Sequence, residues 1–242
     1  MPPPAVADFM RTIGGVTAPA TKVLVGISAL VLIVETIIGK SLLNPSVEVL
    51  VRSGAIFTGV EFTEPWRLIA SCFVHIGAIH FVMNMVALID LGRIAEELFG
   101  SARLVIAYFV TGIAGYLVSK LWYEYAGMPY ITAGASGAIF GINGVLVGEL
   151  LRRGDERWKG MLVRTVAFSF VFYFVMHTNQ AAHLGGLAAG FGLGFLFGRE
   201  RRPQNRAPLM LGIAAVLLVL SIVSLVIPQL QYRSLGQVAE ES

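Results

Sequence analysis

Ile131-Thr-Ala-Gly-Ala-Ser136-Gly-Ala-Ile-Phe140-Gly-Ile-Asn-Gly144-Val-Leu-Val-Gly-Glu149-Leu-Leu151 reaches its first charged residue only at Glu149. Such a run is long enough to cross a hydrocarbon layer, which takes about 20 mainly apolar residues. Six further runs of this kind occupy residues 23–38, 76–91, 104–118, 161–176, 181–197 and 209–227. They are continuous rather than alternating. They therefore predict helices, which satisfy their own backbone groups, and not the strands of an outer-membrane barrel. The overall balance agrees, with 56% of 242 residues hydrophobic and 14% charged. The fold class expected is an all-α, polytopic membrane protein, a helical bundle of seven spans.

The formal net charge of +3 is better explained by membrane topology than by nucleic acid. Lys and Arg gather on the cytoplasmic side of membrane proteins. With the N-terminus inside, only Lys40, Arg52, Arg67, Lys120 and Arg233 of the 18 basic residues fall outside. That orientation puts the C-terminus outside after seven crossings. The opening MPPPAVADFM lacks the basic and apolar regions of a cleaved signal, so the first span is expected to stay as an anchor. The single cysteine, Cys72, excludes an internal disulfide and suggests no metal cluster.

Polar side chains at membrane depth are costly and mark function. His80 and Asn84 lie in the second run, Ser136 in the fourth and His183 in the sixth. These three runs must all descend from the outer face. At about 1.5 Å per residue, their polar groups share a zone within roughly 12 Å of that face. His80 and Asn84, four residues apart, point one way. Ser136 opens a helix after a short polar loop, where unpaired N–H groups suit an oxyanion, and an imidazole such as His183 can take a serine proton near neutral pH. Gly186, Gly190 and Gly194 recur at four-residue spacing, and Gly137, Gly141 and Gly144 line the fourth run. Small residues so spaced let two helices approach closely, as a Ser–His hydrogen bond requires.

Three blocks carry a resemblance: Trp66-Arg67, His75-Ile-Gly-Ala-Ile-His80-Phe-Val-Met-Asn84, and Gly134-Ala-Ser136-Gly137 with Ala182-His183-Leu-Gly-Gly186-Leu-Ala-Ala-Gly190. Glu96 and Gly100 in the following cytoplasmic turn fit the same pattern. Over roughly residues 60 to 198 the chain resembles the rhomboid intramembrane serine proteases. The resemblance implies a Ser136–His183 dyad, an oxyanion hole of His80, Asn84 and the Ser136 N–H, and supporting roles for Gly134, Gly137, Phe140 and Gly186. Phe140 stands where the family often has a Tyr against the catalytic imidazole. His75 matches a structural histidine, and Ser71 a place where some relatives carry histidine. No carboxylate lies near His183 in sequence, so nothing evident orients the ring.

The function expected is an intramembrane serine endopeptidase acting on single-span proteins within the lipid bilayer. No metal, organic cofactor or nucleic acid is implied. The alternative is a non-proteolytic relative that escorts membrane clients. A transporter is disfavoured, since neither inverted repeats nor broken helices are evident. The fifth span, with the loop up to Gln180, is by analogy a lateral gate, and its Phe-rich stretch reads as lipid-facing or packing surface rather than a cofactor site. Trp66 and Arg67 read as interfacial anchors, and Glu35 as reaching water or pairing with Lys40. The predicted organisation is a cytoplasmic segment 1–22, a six-helix core 23–198, a basic connector 199–208, a seventh helix 209–228 as an added anchor, and a mobile external tail 229–242. The expected location is a prokaryotic plasma membrane.

Overall fold

The computed structural model describes residues 18–60, 63–176, 178–199 and 207–240. Its elements in order are α1 (Pro19–Gly39), α2 (Val47–Ser53), β1 (Ile56–Phe57), α3 (Arg67–Ala70), α4 (Gly77–Phe99), α5 (Ser101–Ala126), β2 (Ile131–Thr132), α6 (Ser136–Arg152), α7 (Arg157–Met176), α8 (Gln180–Arg199) and α9 (Ala207–Glu240). Most of the predicted segment 1–22 and of the connector 199–208 lies outside the described residues.

Each of the seven predicted spans falls on one helix, and the chain is a multi-pass, all-α membrane protein. Among the described residues, five helices, α1, α4, α5, α8 and α9, are long and apolar enough to cross a membrane. The fourth and fifth predicted spans, α6 and α7, are not among them. Helix α6 has 17 residues, because 131–135 form a strand and turn instead of its first turn. Helix α7 has 20 but opens on Arg157, Lys159 and Arg164. Helix α5 sits deepest, with 61% of its apolar window buried against 17–33% for the other four.

Helices α6 and α8 form the most extensive pairing in the bundle. A Cβ at Gly186 would lie 2.0 Å from the Gly137 carbonyl oxygen, one at Gly190 1.9 Å from that of Gly141, and one at Gly194 2.1 Å from that of Val145. Gly144 and Gly148 meet the Leu187 and Phe191 carbonyls in the same way, at 2.2 and 2.4 Å. Backbone therefore packs on backbone along the whole seam. Without a hydrophobic force between helices in lipid, such contact supplies the dispersion energy that holds the pair.

The N-terminus of α1 is capped from a distance. Glu96, on α4, accepts from the N–H groups of Ala20 (2.9 Å) and Thr21 (3.0 Å) and from the hydroxyls of Thr21 (2.8 Å) and Ser101 (2.6 Å). The first-turn N–H groups have no helical partner and carry partial positive charge, so a carboxylate suits them. Glu96→Ala should lower stability by about 2 kcal/mol, read as a reduced unfolding midpoint in detergent.

Four expectations change in three dimensions. Arg67 is no interfacial anchor: it is 1% exposed, donates to the carbonyls of Val51 (2.7 Å) and Ala55 (2.9 Å), pairs with Glu64 and lies over the rings of Trp66 and Phe57. It fastens the segment from Val51 to Ala55 onto α3, because its five donors can satisfy several carbonyls at once. Glu35 does not reach water. It is 1% exposed and accepts the His75 N–H at 3.3 Å. The seventh helix does not stop at residue 228. It continues to Glu240, replacing the predicted tail over 229–240, and Gln229 donates to the Arg52 carbonyl at 3.2 Å. That helix is also more than an added anchor, since it packs on α2, α3 and α5.

Candidate active site

The segment before Ser136 is held on several sides. Ile131 and Thr132 pair antiparallel with Phe57 and Ile56. Gly134 donates its N–H to the Ser71 carbonyl (2.9 Å) and accepts from the Tyr116 hydroxyl (2.7 Å). Its φ of +125° is one that L side chains rarely adopt, and a Cβ there would stand 2.6 Å from His80 Cε1. Glycine is thus required twice at this position, for backbone and for space. The chain then turns into α6, with Ser136 as the first helical residue and no side-chain cap on the helix. Its first-turn N–H groups face the site unclaimed by any side chain.

His183 lies one turn into α8 and is 1% exposed. Its Nε2 is 3.0 Å from Ser136 Oγ. Phe140, one turn after Ser136, stacks on the imidazole with centroids 4.1 Å apart and planes 8° from parallel. The missing phenol hydroxyl therefore does not prevent stacking. Supporting glycines divide into two kinds. Gly186 is needed for helix contact, whereas a Cβ at Gly137 would make only ordinary contact, 3.5 Å from the Ala182 carbonyl oxygen. Gly137 matters through its own carbonyl, which Gly186 packs upon.

His80 and Asn84 come from α4, at the same end of the bundle. Both are buried, and both line a cavity of about 60 Å³ together with Ser136, Phe140, Phe172 and His183. His80 Nδ1 accepts the Ile76 N–H at 3.3 Å, which puts the hydrogen of a neutral ring on Nε2. Asn84 spends one amide hydrogen on the His80 carbonyl at 2.9 Å and retains the other. A second cavity of about 110 Å³ also touches Ser136 and His80 and is lined by Tyr116, Thr132, Thr178 and Asn179. Ser136 thus borders both cavities, the first almost wholly apolar and the second of mixed lining.

The remaining residues singled out by sequence are structural. His75 is fully buried, its Nδ1 2.9 Å from the Phe73 carbonyl oxygen, and its ring packs edge-on to Phe81. Ser71 donates to the Arg67 carbonyl at 2.6 Å. In the Phe-rich run of α7, Phe168, Phe170 and Phe174 are exposed as expected.

Two residues escaped sequence reading. Ser169 lies in that same run, yet it is buried and its hydroxyl is 3.0 Å from His183 Nδ1. Gln180 lies 2.5 Å from the Ser169 hydroxyl through its amide oxygen, and its amide nitrogen donates to the Ser169 carbonyl at 3.0 Å. The imidazole is therefore oriented, though by no carboxylate. The available signal was Ser169 itself, a small polar residue amid aromatics.

The Rhomboid domain family model matches residues 63–200, more than half of the chain. RHOMBOID-like protein 1 of Arabidopsis thaliana is 36% identical over 163 residues, covering 64% of this chain and 41% of that protein. Putative rhomboid protease YdcA of Bacillus subtilis is 36% identical over 143 residues, 57% of this chain and 70% of the relative. Rhomboid protease GluP of the same bacterium is 33% identical over 137 residues, 53% of this chain and 25% of the relative. The chain spans about half the length of the plant relatives it matches. Its matched segment contains both faces of the glycine seam and every polar residue around the two cavities, and by that match the chain belongs to the rhomboid family.

Proposed function

We propose that this chain is an intramembrane serine endopeptidase that cleaves membrane proteins in or near their transmembrane segments. The observation that carries the reading is the 3.0 Å approach of Ser136 Oγ to His183 Nε2 beside a cavity lined by His80 and Asn84. His183 takes the Ser136 proton as the oxygen attacks the peptide carbonyl. The carbonyl oxygen becomes an oxyanion held by the Ser136 N–H, His80 Nε2–H and the second Asn84 amide hydrogen. Collapse breaks the C–N bond, and His183 returns its proton to the leaving amine. Water then enters and attacks the acyl carbonyl as His183 takes its proton; the bond to Ser136 Oγ breaks, the acid product leaves, and His183 returns the proton to Ser136 Oγ.

The second cavity, whose lining includes the hydroxyl-bearing residues Tyr116, Thr132 and Thr178, is suited to that water. The names of two bacterial relatives support the protease reading, since both are called rhomboid proteases. Retention of both Ser136 and His183, hydrogen-bonded to each other, weighs against a non-proteolytic escort. The Lys and Arg distribution supports an N-terminus in the cytoplasm and a site that opens outward, with single-span substrates entering past α7. Relatives occur in both a plant and a bacterium, so similarity does not favour the prokaryotic plasma membrane over another bilayer.

A serine-directed fluorophosphonate should label the wild type in detergent and spare Ser136→Ala. Equal labelling of the two proteins would remove the nucleophile from the scheme. His80→Ala and Asn84→Ala should each reduce kcat about 10²- to 10³-fold with little change in KM, as measured on a single-span substrate.

A further inference from the structure

Given the Ser136–His183 protease proposed above, we infer that Ser169 and Gln180 form a neutral relay holding His183 in the tautomer that can accept the Ser136 proton. They stand where an aspartate stands in the soluble triad. The assignment follows from counting hydrogens. A backbone carbonyl can only accept, so the Gln180 atom 3.0 Å from the Ser169 carbonyl oxygen is the amide nitrogen. It also donates to Thr178 Oγ1 at 3.0 Å, which fixes the amide from a second side. The amide oxygen then faces the Ser169 hydroxyl at 2.5 Å, and it too can only accept.

The single Ser169 hydroxyl hydrogen is therefore directed at Gln180. Only lone pairs remain on Ser169 Oγ for His183 Nδ1, 3.0 Å away, so Nδ1 carries the ring hydrogen. A neutral imidazole has one N–H. Its Nε2 is left as a bare acceptor, and Nε2 is the atom that meets Ser136 Oγ at 3.0 Å. The same relay stabilises the imidazolium formed during attack, because Nδ1–H keeps its acceptor when Nε2 becomes protonated. Ser169 is 5% exposed, so water does not readily replace it.

Ser169 and Gln180 touch neither substrate nor reacting atom; they are positioning residues. Their test is the pH profile of kcat and KM on a single-span substrate, using the full chain in detergent. His80, the other titratable side chain lining the cavity, is unchanged in every variant. Ser169→Ala should lower kcat about tenfold, leave KM within about twofold and move the acid limb to lower pH, since the imidazolium loses an acceptor. Ser169→Thr should restore both. Gln180→Glu keeps an acceptor for the Ser169 hydroxyl and adds negative charge, so its acid limb should move to higher pH.

Opposed shifts are not produced by a merely loosened fold. A second measurement needs no activity: ¹⁵N chemical shifts of the four histidines in Ser136→Ala should show His183 protonated on Nδ1. Protonation on Nε2, or a Ser169→Ala enzyme with wild-type kcat and pH profile, would overturn the relay while leaving the protease intact. A wild type that neither cleaves nor takes the serine probe sinks the protease reading, and the relay with it.

Discussion

Ser136→Ala and His183→Ala should each slow cleavage of a single-span substrate by at least about 10³-fold while leaving the folded protein intact. The size follows from the way such residues act as a unit: removing either the nucleophile or its base disables the same step, and the losses do not add. The double variant should therefore be no slower than either single one. The fold survives because neither side chain bears the helix seam. Ser136 presents its hydroxyl to His183 and the cavity, while α6 and α8 meet through glycine backbone. The measurement is initial cleavage rate in liposomes alongside unfolding midpoint in detergent. Alanine variants that cleave at the wild-type rate would remove the dyad from the chemistry, and variants that fail to fold would show that the pair is structural.

Gly190→Val should be the most damaging single substitution outside the dyad. Even a lone Cβ would come within 1.9 Å of the Gly141 carbonyl oxygen, where ordinary contact begins at 3.4 Å. That oxygen belongs to helix backbone and cannot rotate away. The two helices must part by more than an ångström, losing dispersion contact along the seam and lengthening the Ser136–His183 approach. Overpacking of this kind costs about 3 kcal/mol or more. Loss of monodisperse protein on size exclusion, or a sharply reduced unfolding midpoint, is expected. Gly192→Val is the matched control, because nothing lies within 4 Å of a Cβ there. A Gly190 variant as stable as its Gly192 counterpart would mean that helix approach is governed by something other than backbone contact.

Most of this site was legible in the residues because a membrane makes polar groups conspicuous. In a bilayer, His80, Asn84, Ser136 and His183 stand out against their apolar runs, and the glycine period along two of those runs announces which helices meet. What escaped was polar chemistry that needs a partner from elsewhere in the chain. Ser169 looks like one more member of an aromatic, lipid-facing run, and only its angular position on α7 turns it toward His183 while Phe168 and Phe170 face outward. Glu35 and Arg67 looked able to reach water or the interface, yet the loops around them fold over and bury both. Glu96 matched a family pattern without disclosing its task, which is to cap a helix about 75 residues earlier.

The amino-acid order was enough to indicate a helical membrane bundle and the helices whose polar residues His80, Asn84, Ser136 and His183 meet at one cavity. Those properties depend on apolar length and on polar exceptions, and both are local. The folded chain alone settled where the helices start, which carboxylate caps which terminus, and what holds the imidazole. Those are contacts between segments distant in sequence, and hydrogen-bond partners across such distances are chosen by geometry that no single segment contains.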